Sequence, residues 1–185
     1  VEKWKAAYGV KTTEKILEDF LTERPITVRC RTHKASLREI VTSLKSQGVT
    51  VEQAPYLPYA LKISDYNHIL TLETFLQGKI LVQDVSSMLV AEAASPKKGD
   101  HIIDMCAAPG GKSIHAADKM GDYGNVDARD VSQYKADLIK ENIHRTGVIN
   151  VEARVQDATV YDPDSEQAAD IVIADVPCSG YGVIG

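Results

Sequence analysis

Apolar residues near the start of the chain first follow a helical spacing and then a strand-like one. Four of them form one stripe of an amphipathic helix over residues 13–22, which Pro25 ends: Ile16, Leu17, Phe20 and Leu21. Residues 26–30 then alternate apolar and polar side chains, which predicts a half-buried strand. In this register Arg29 and Arg31 lie on the outer face of the strand.

A second helix and further strands follow. Ser36 and Glu39 form a capping box before an apolar helical stripe, and Gly48 supplies the C-terminal stop. Short apolar runs at residues 49–51 and 59–63 flank a proline-containing turn and predict two more strands. These elements together indicate a small α+β module.

From residue 80 onward, predicted strands and helices alternate. Short apolar strands are predicted at residues 80–82, 101–105, 124–128, 150–155 and 170–175. Such alternation is typical of a parallel sheet with right-handed crossovers, here a Rossmann-like α/β domain that is cut short after residues 170–175, the fourth strand counted from residues 101–105. We therefore divide the chain into a helical linker over residues 1–24, the α+β module over residues 25–79, and the N-terminal part of a Rossmann-like domain over residues 80–185.

Composition narrows the class of protein. With 44% hydrophobic and 25% charged residues the chain is globular, and its apolar runs are far shorter than the roughly 20 residues that span a bilayer. Cys30, Cys106 and Cys178 show no CxxC spacing, which argues against a disulfide framework or a metal site and favours a reducing, cytoplasmic compartment. Because the chain opens on Val1 without a targeting segment, we expect a piece of a longer protein.

Charge is divided unevenly along the chain. Residues 1–79 carry 12 Lys and Arg against 9 Asp and Glu, whereas residues 80–185 carry 9 against 17. A mildly basic first part is suited to binding phosphates, and an acidic second part repels a polyanion outside shielded places. The alternative for the basic residues is an ordinary solvated face.

The strongest chemical signal is DMCAAPGGKS, residues 104–113, between a predicted strand and a predicted helix. Its small residues let a ligand approach the backbone, and the helix N-terminus offers free N–H groups to a carboxylate or a phosphate. A P-loop needs glycine where Cys106 stands, and the GxGxxG dinucleotide fingerprint is absent. The loop is therefore predicted to cradle a different ligand.

Three aspartates follow successive predicted strands at their carboxyl ends: Asp130, Asp157 and Asp175. Ligands bind at this edge in open α/β sheets, and an acid placed like Asp130, 19 residues after Gly111, binds ribose hydroxyls. Asp157 is placed to receive an adenine amino group, with an ordinary surface aspartate as the alternative.

The segment DVPCSG, residues 175–180, presents an acid and a thiol at the same edge. Buried cysteines are usually inert, but Cys178 follows a proline in a loop, and a loop suits an exposed side chain. We therefore predict a chemical role for Cys178.

At these motifs the chain resembles the RNA cytosine-C5 methyltransferases of the Sun/Fmu (RsmB) type, which methylate ribosomal RNA with S-adenosylmethionine. DMCAAPGGKS, DVPCSGYGVIG and QDVSSML of residues 83–89 carry the resemblance. The pattern of Trp4, Tyr8, Gly9, Pro25 and Arg29 is similar to the family's linker and RRM-like module. The resemblance covers essentially the whole chain and implies a truncated Rossmann-like S-adenosylmethionine-dependent methyltransferase domain preceded by an RRM-like module.

The resemblance also implies roles for individual residues. The methionine part of the cofactor would be wrapped by Cys106, Ala107, Ala108, Pro109, Gly110, Gly111 and Lys112. Asp130 would bind the ribose, Asp157 the adenine, and Asp175 would lie between cofactor and target cytosine. Cys178 would help to release the methylated product, and the nucleophile would belong to a TCS/TCT motif that we expect beyond Gly185. The 185 residues by themselves are therefore expected to be inactive.

The expected function is methylation of cytosine C5 in 16S-type ribosomal RNA, with Arg29 and Arg31 facing RNA phosphates. An alternative is a cofactor-binding RNA-association module without catalytic activity, which the absence of a TCS/TCT motif would favour. A DNA cytosine methyltransferase uses its Pro-Cys pair as the nucleophile, but it lacks the CAAPGGK loop.

Overall fold

The computed structural model describes residues 1–21, 24–121 and 123–178, which fold as two units. Within these ranges, the residues up to Pro25 and Cys178 belong to one unit, and those from Ile26 to Pro177 belong to the other. The end of the DVPCSGYGVIG motif, residues 179–185, lies outside the described residues. Of the helices within the described ranges, none has the length and apolar character needed to cross a bilayer.

The first unit contains two helices where the sequence predicts one. Helix α1 spans Glu2–Tyr8 and α2 spans Val10–Phe20, with Gly9 between them at φ +78°. The rings of Trp4 and Phe20 pack with centroids 5.8 Å apart. The amphipathic pattern therefore finds α2, although α2 begins earlier than predicted, whereas α1 is too short to show a complete stripe.

An antiparallel four-stranded sheet, with strand order β2-β3-β1-β4, opens the second unit. Its strands are β1 (Ile26–Cys30), β2 (Thr50–Gln53), β3 (Ala60–Ser64) and β4 (Ile80–Val82). Helix α3 (Leu37–Ser46) connects β1 to β2, and a 3₁₀ turn (Ile69–Thr71) and the short helix α4 (Glu73–Leu76) precede β4. This βαββαβ order is ferredoxin-like, and we call residues 26–82 the ferredoxin-like module.

The predicted capping box is present at the start of α3. The backbone N–H of Glu39 donates to Ser36 Oγ at 3.3 Å, and the backbone N–H of Ser36 donates to Glu39 Oε2 at 2.8 Å. Ile40 and Leu44 lie fully buried one turn apart and pack with apolar side chains of β1, β3 and β4. The helix and the sheet therefore share one core.

The position of β4 corrects the predicted boundary at residue 80. Ile80–Val82 does not belong to the parallel sheet but pairs antiparallel with β1, with Cys30 opposite Ile80 and Val28 opposite Val82. Three consecutive apolar residues predict a buried strand but carry no information about which sheet it joins. The ferredoxin-like module therefore extends through Val82.

The parallel sheet has the strand order β7-β6-β5-β8. Its strands are β5 (His101–Asp104), β6 (Asn125–Asp130), β7 (Val151–Val155) and β8 (Ile171–Ile173). Helices α5 (Val85–Ala94), α6 (Gly111–Met120) and α7 (Gln133–Thr146) belong to this part, and a 3₁₀ turn (Pro163–Ser165) precedes β8. We call residues 85–175 the parallel-sheet domain. Its parallel strands and connecting helices confirm the predicted Rossmann-like fold. The chain order reverses between β5 and β8, the point where such sheets bind ligands.

Arg29 and Arg31 require a second correction, because each is only 2% exposed. Arg29 Nη1 lies 2.6 Å from Asp118 Oδ2 on α6, and Arg31 Nη2 lies 2.6 Å from Asp118 Oδ1. Arg31 Nη1 also donates to the carbonyl of Thr146 at 2.6 Å. The outer face of β1 is thus covered by the parallel-sheet domain, so the prediction that these arginines face RNA phosphates is wrong. An alternating strand pattern cannot distinguish a solvent-exposed polar face from one that meets another domain.

Gly78 lies in the same contact, and replacing it with alanine should destabilise the protein by about 1–3 kcal/mol through overpacking. Its φ is +64°, and a Cβ there would meet the carbonyl oxygen of Arg145 at 2.5 Å and Thr146 Cα at 2.6 Å. Gly48 is a matched control, since its φ is +82° but a Cβ there meets nothing within 4 Å. Urea unfolding of both variants measures the steric cost as a loss in the free energy of unfolding. Equal losses in the Gly78 and Gly48 variants would contradict a tight contact at Gly78.

Candidate functional site

The loop after β5 is shaped by a glycine that no other residue can replace without strain. Gly110 precedes α6 with φ +99°, a left-handed conformation that favours glycine. A Cβ at Gly110 would lie 3.2 Å from Ile139 Cγ2 on α7. The backbone N–H of Ala107 donates to the carbonyl of Arg129 at 2.8 Å, which ties the loop to β6. The predicted cradle of small residues is therefore held closely against its neighbours.

Asp104, the last residue of β5, is a buried acid whose carboxyl group receives a backbone hydrogen bond from Cys106. Its Oδ2 also accepts a hydrogen bond from Ser113 Oγ at 2.6 Å. Burial raises the pKa of Asp104 to about 6, against the opposing effects of the Ser113 hydrogen bond and the Lys112 charge. The predictions named Asp104 only as the first residue of the loop motif, although a polar residue ending a buried strand is itself a signal.

Asp130, at the end of β6, is hydrogen-bonded to the loop after β5. It is 3% exposed, and its carboxylate accepts hydrogen bonds from the backbone N–H groups of Ala108 at 3.1 Å and Val131 at 2.8 Å. Lys135 Nζ lies 3.1 Å from Asp130 Oδ1. Burial favours a higher pKa, but these hydrogen bonds outweigh it and lower the pKa of Asp130. The carboxylate is therefore ionised and fixed in position beside the loop.

Lys112 and Asp175 meet across a cleft of about 220 Å³. Lys112 Nζ lies 2.6 Å from Asp175 Oδ2 and donates to Ser87 Oγ at 3.2 Å. One wall of the cleft is formed by residues 82–84 and Ser87, and the other by the loop from Cys106 onward. The structure thus places the predicted loop and Asp175 in one cleft.

Asp157 lies in a neighbouring pocket rather than in this cleft. That pocket is also about 220 Å³ and lies between the ends of β6 and β7, with Met105 and Arg129 in its wall. The exposed Asp157 carboxylate accepts hydrogen bonds from Thr159 N at 2.9 Å and Thr159 Oγ1 at 2.7 Å, which lower its pKa. The loop after β5 separates two adjacent pockets along the same sheet edge, since Met105 faces one and Cys106 the other.

The three cysteines are free and differ in their surroundings. Burial raises the pKa of Cys30 to about 12, so this thiol is a core side chain. Burial, with the charges of Asp130 and Asp104, raises the pKa of Cys106, which keeps its thiol protonated. Cys178 is exposed and belongs to the other unit, so its chemical role stays a prediction. In the parts of the chain that the structure describes, no group of three or more metal-ligating side chains is positioned to hold a metal ion.

Gln83 is a cleft residue that the residue-level predictions missed. It is 6% exposed, and its Oε1 accepts a hydrogen bond from Arg29 Nε at 2.8 Å. Its only signal in the sequence was its place at the start of the QDVSSML motif.

Comparisons with known proteins agree with this architecture. The family profile described as 16S rRNA methyltransferase RsmB/F matches residues 91–185, and the ferredoxin-like domain of RsmF/B-like methyltransferases matches residues 1–69. A solved methyltransferase homolog from Pyrococcus horikoshii superposes with a TM-score of 0.74 at 29% identity, over 96% of this chain and 58% of that one.

Curated relatives include bacterial and eukaryotic enzymes. The probable ribosomal RNA small subunit methyltransferase B of Bacillus subtilis is 37% identical over all of this chain and 41% of its own length. The human 28S rRNA (cytosine(4447)-C(5))-methyltransferase is 33% identical over 87% of this chain and 20% of its own length. This chain therefore spans about two fifths of the Bacillus subtilis relative. Because the family profile covers more than half of its residues, the chain belongs to the RsmB/F family of 16S rRNA methyltransferases.

Proposed function

We propose that the protein methylates cytosine C5 in ribosomal RNA, of the 16S type, with S-adenosylmethionine as the methyl donor. The observation that carries this proposal is the convergence of the loop after β5, Asp130, and the Lys112–Asp175 pair at the switch point of the parallel sheet. The relatives named as cytosine-C5 methyltransferases of ribosomal RNA support the same reaction. A ribosomal RNA substrate and free thiols favour a cytoplasmic location.

The loop after β5, the neighbouring Asp130 and the two pockets suit the parts of this cofactor. The amino-acid end fits against Cys106, Ala107, Ala108, Pro109, Gly110, Gly111 and Lys112, where helix α6 begins. Asp130, at the end of β6, is placed for the ribose hydroxyls, and Asp157 lines the adjacent pocket that suits the adenine. When bound, S-adenosylmethionine supplies an electrophilic methyl group.

The proposed reaction needs two protein groups that act on the target cytosine, a thiolate and a carboxyl group. Cytosine C5 becomes a nucleophile only after a thiolate adds to C6, and that thiolate comes from the family's TCS/TCT motif. Asp175, beside the Lys112 ammonium, is placed to accept a hydrogen bond from the exocyclic amine and, in its protonated form, to donate its proton to N3, where negative charge develops when the thiolate adds. Cys178 acts later, in the loss of the C5 proton and the release of the enzyme thiolate. The target base has to leave its stack to reach such a cleft.

A methyl-transfer assay on 16S ribosomal RNA tests this proposal. The protein that includes the expected TCS/TCT motif should transfer a labelled methyl group from S-adenosylmethionine to cytosine C5, whereas residues 1–185 alone, which contain no such motif, should be inactive. A Cys178→Ser variant should still attack the base, but it should accumulate a covalent protein–RNA complex because release is slow. Denaturing gel electrophoresis detects the complex, and Cys30→Ser provides a matched control that changes a buried thiol in the ferredoxin-like core.

Three results would contradict parts of the proposal. Cofactor binding and RNA binding without methyl transfer would identify a binding module instead of an enzyme. Loss of the covalent complex in Cys178→Ser would assign the attack on C6 to Cys178. A methyl group found on another atom of the RNA would exclude cytosine C5 as the target.

A further inference from the structure

Gln83 carries a hydrogen-bond donor that the structure leaves without a partner. Its Nε2 is buried and has no acceptor among the described residues, and the residue lines the cleft beside Lys112. A buried donor without a partner costs free energy, so its retention needs an explanation. A ligand that brings an oxygen acceptor is one such explanation.

The ferredoxin-like module fixes which end of this amide is available. Arg29 on β1 offers only donors, so the atom that it contacts at 2.8 Å has to be the amide oxygen, Oε1. Arg29 is itself held by Asp118 at 2.6 Å. If the amide turned its oxygen toward a ligand, Arg29 Nε would lose its acceptor. Nε2 is therefore the amide atom that remains available to a ligand.

The amide also lies against the start of α6. A Cβ built on Gly111 would be 3.7 Å from Gln83 Cδ and 4.0 Å from Oε1, which places the side chain, though not Nε2 itself, in van der Waals range of the first helical residue. Helix α6 has ten residues and no side-chain cap at its N-terminus, so its first N–H groups lack side-chain partners. A helix N-terminus favours an anion, and a second donor at the same place favours a carboxylate with two oxygens.

We propose that Gln83 is a cofactor-binding residue that donates through Nε2 to a carboxylate oxygen at the N-terminus of α6. This inference rests on the proposed function, in which that carboxylate belongs to the amino-acid end of S-adenosylmethionine. Arg29 is the positioning residue, because it holds the amide from the neighbouring module. Since Nε2 is covered by neighbouring atoms, contact with the ligand requires a local side-chain movement.

The inference is tested by calorimetry on the whole protein, which measures the affinity for two ligands, one with the amino-acid carboxylate and one without it. S-adenosylhomocysteine carries the amino-acid end, and 5′-methylthioadenosine has the same adenosine thioether without it. In Gln83→Glu one oxygen can still accept from Arg29, but the donor becomes an acceptor. This variant should bind S-adenosylhomocysteine about tenfold or more weakly, as expected for a lost hydrogen bond to a charged group, and should bind 5′-methylthioadenosine like the wild type.

Two further variants and one control complete the experiment. Gln83→Met keeps the volume without a donor and should weaken S-adenosylhomocysteine selectively as well. Arg29→Lys retains a cation for Asp118 but loses the contact that orients the amide, and it should show the same ligand selectivity. Gln133→Glu makes the same change of charge on the exposed start of α7 and should alter neither affinity.

The possible outcomes separate this inference from the proposed function. Equal weakening of both ligands, or unchanged binding of S-adenosylhomocysteine by Gln83→Glu, would overturn the role of Gln83. Weaker RNA binding at unchanged cofactor affinity would assign the donor to the target base and would also overturn it. A wild-type protein that binds neither ligand would overturn the proposed function, and this inference with it.

Discussion

Replacing Asp118 with alanine should lower the free energy of unfolding by about 3–5 kcal/mol, the range seen when one member of a buried ion pair is removed. Asp118 is the shared anion of two arginines whose side chains are at most 2% exposed. Without it, both guanidinium groups lose their charge partner inside the contact between the two modules. Burial disfavours the Asp118 carboxylate, but the hydrogen bonds and charges of Arg31 and Arg29 outweigh it and lower the pKa.

Guanidinium chloride unfolding measures this loss, with Asp137→Ala as the control. Asp137 lies on the exposed face of α7 and pairs with Lys140 at 3.4 Å, so its removal should cost no more than about 1 kcal/mol. Because the folded-state pKa of Asp118 is lowered, its stabilisation is present at neutral pH. It is lost only as the pH falls through that lowered pKa. Equal losses of unfolding free energy in the two variants would show that the ion cluster stabilises the protein no more than a surface ion pair does.

Replacing Asp104 with asparagine should stabilise the protein at neutral pH by about 3 kcal/mol relative to the wild type. The folded-state pKa of Asp104 is raised from 3.8 to about 6, so folding favours its protonated form. Below pH 3.8 both states bind the proton, and the acid and the amide should then behave alike. As the pH rises toward 6 the wild type loses this contribution, because the carboxyl group ionises in a buried place.

Unfolding curves of both proteins at several pH values between about 4 and about 7 measure this effect. The difference in free energy should grow across that interval and stay constant once the pH exceeds the folded-state pKa of about 6. The amide of the Asp104→Asn variant retains an oxygen that can accept from Ser113 Oγ, so this hydrogen bond is kept while the charge is removed. A difference that does not change with pH would contradict the raised pKa.

Local signals in the sequence predicted most of the fold. The capping box at Ser36 and Glu39, the glycine stop after α3, and the alternation of short strands and helices each depend on residues close together in the chain. The loop after β5 and Asp175 were likewise predicted from motifs, and they meet in one cleft. The family and fold that the resemblance implied are confirmed by the matching profiles.

The errors concern partners that are distant in sequence. Arg29 and Arg31 carried the pattern of a polar strand face, but their partner Asp118 lies 87 to 89 residues away. The three apolar residues of β4 fit either sheet by pattern, and only the register with β1 decides between them. The donor of Gln83 depends on Arg29, so no local pattern could have indicated it.

The ion cluster of Arg29, Arg31 and Asp118 restricts how this architecture can be recombined. The two cations lie on the ferredoxin-like module and the anion on α6, so a genetic crossover between them separates the partners. A chimaera that joins these arginines to a relative's domain without an acid at the Asp118 position would bury two unbalanced cations. Successful exchange between relatives therefore requires both halves of the cluster to be transferred together, and the two modules should be inherited as one unit.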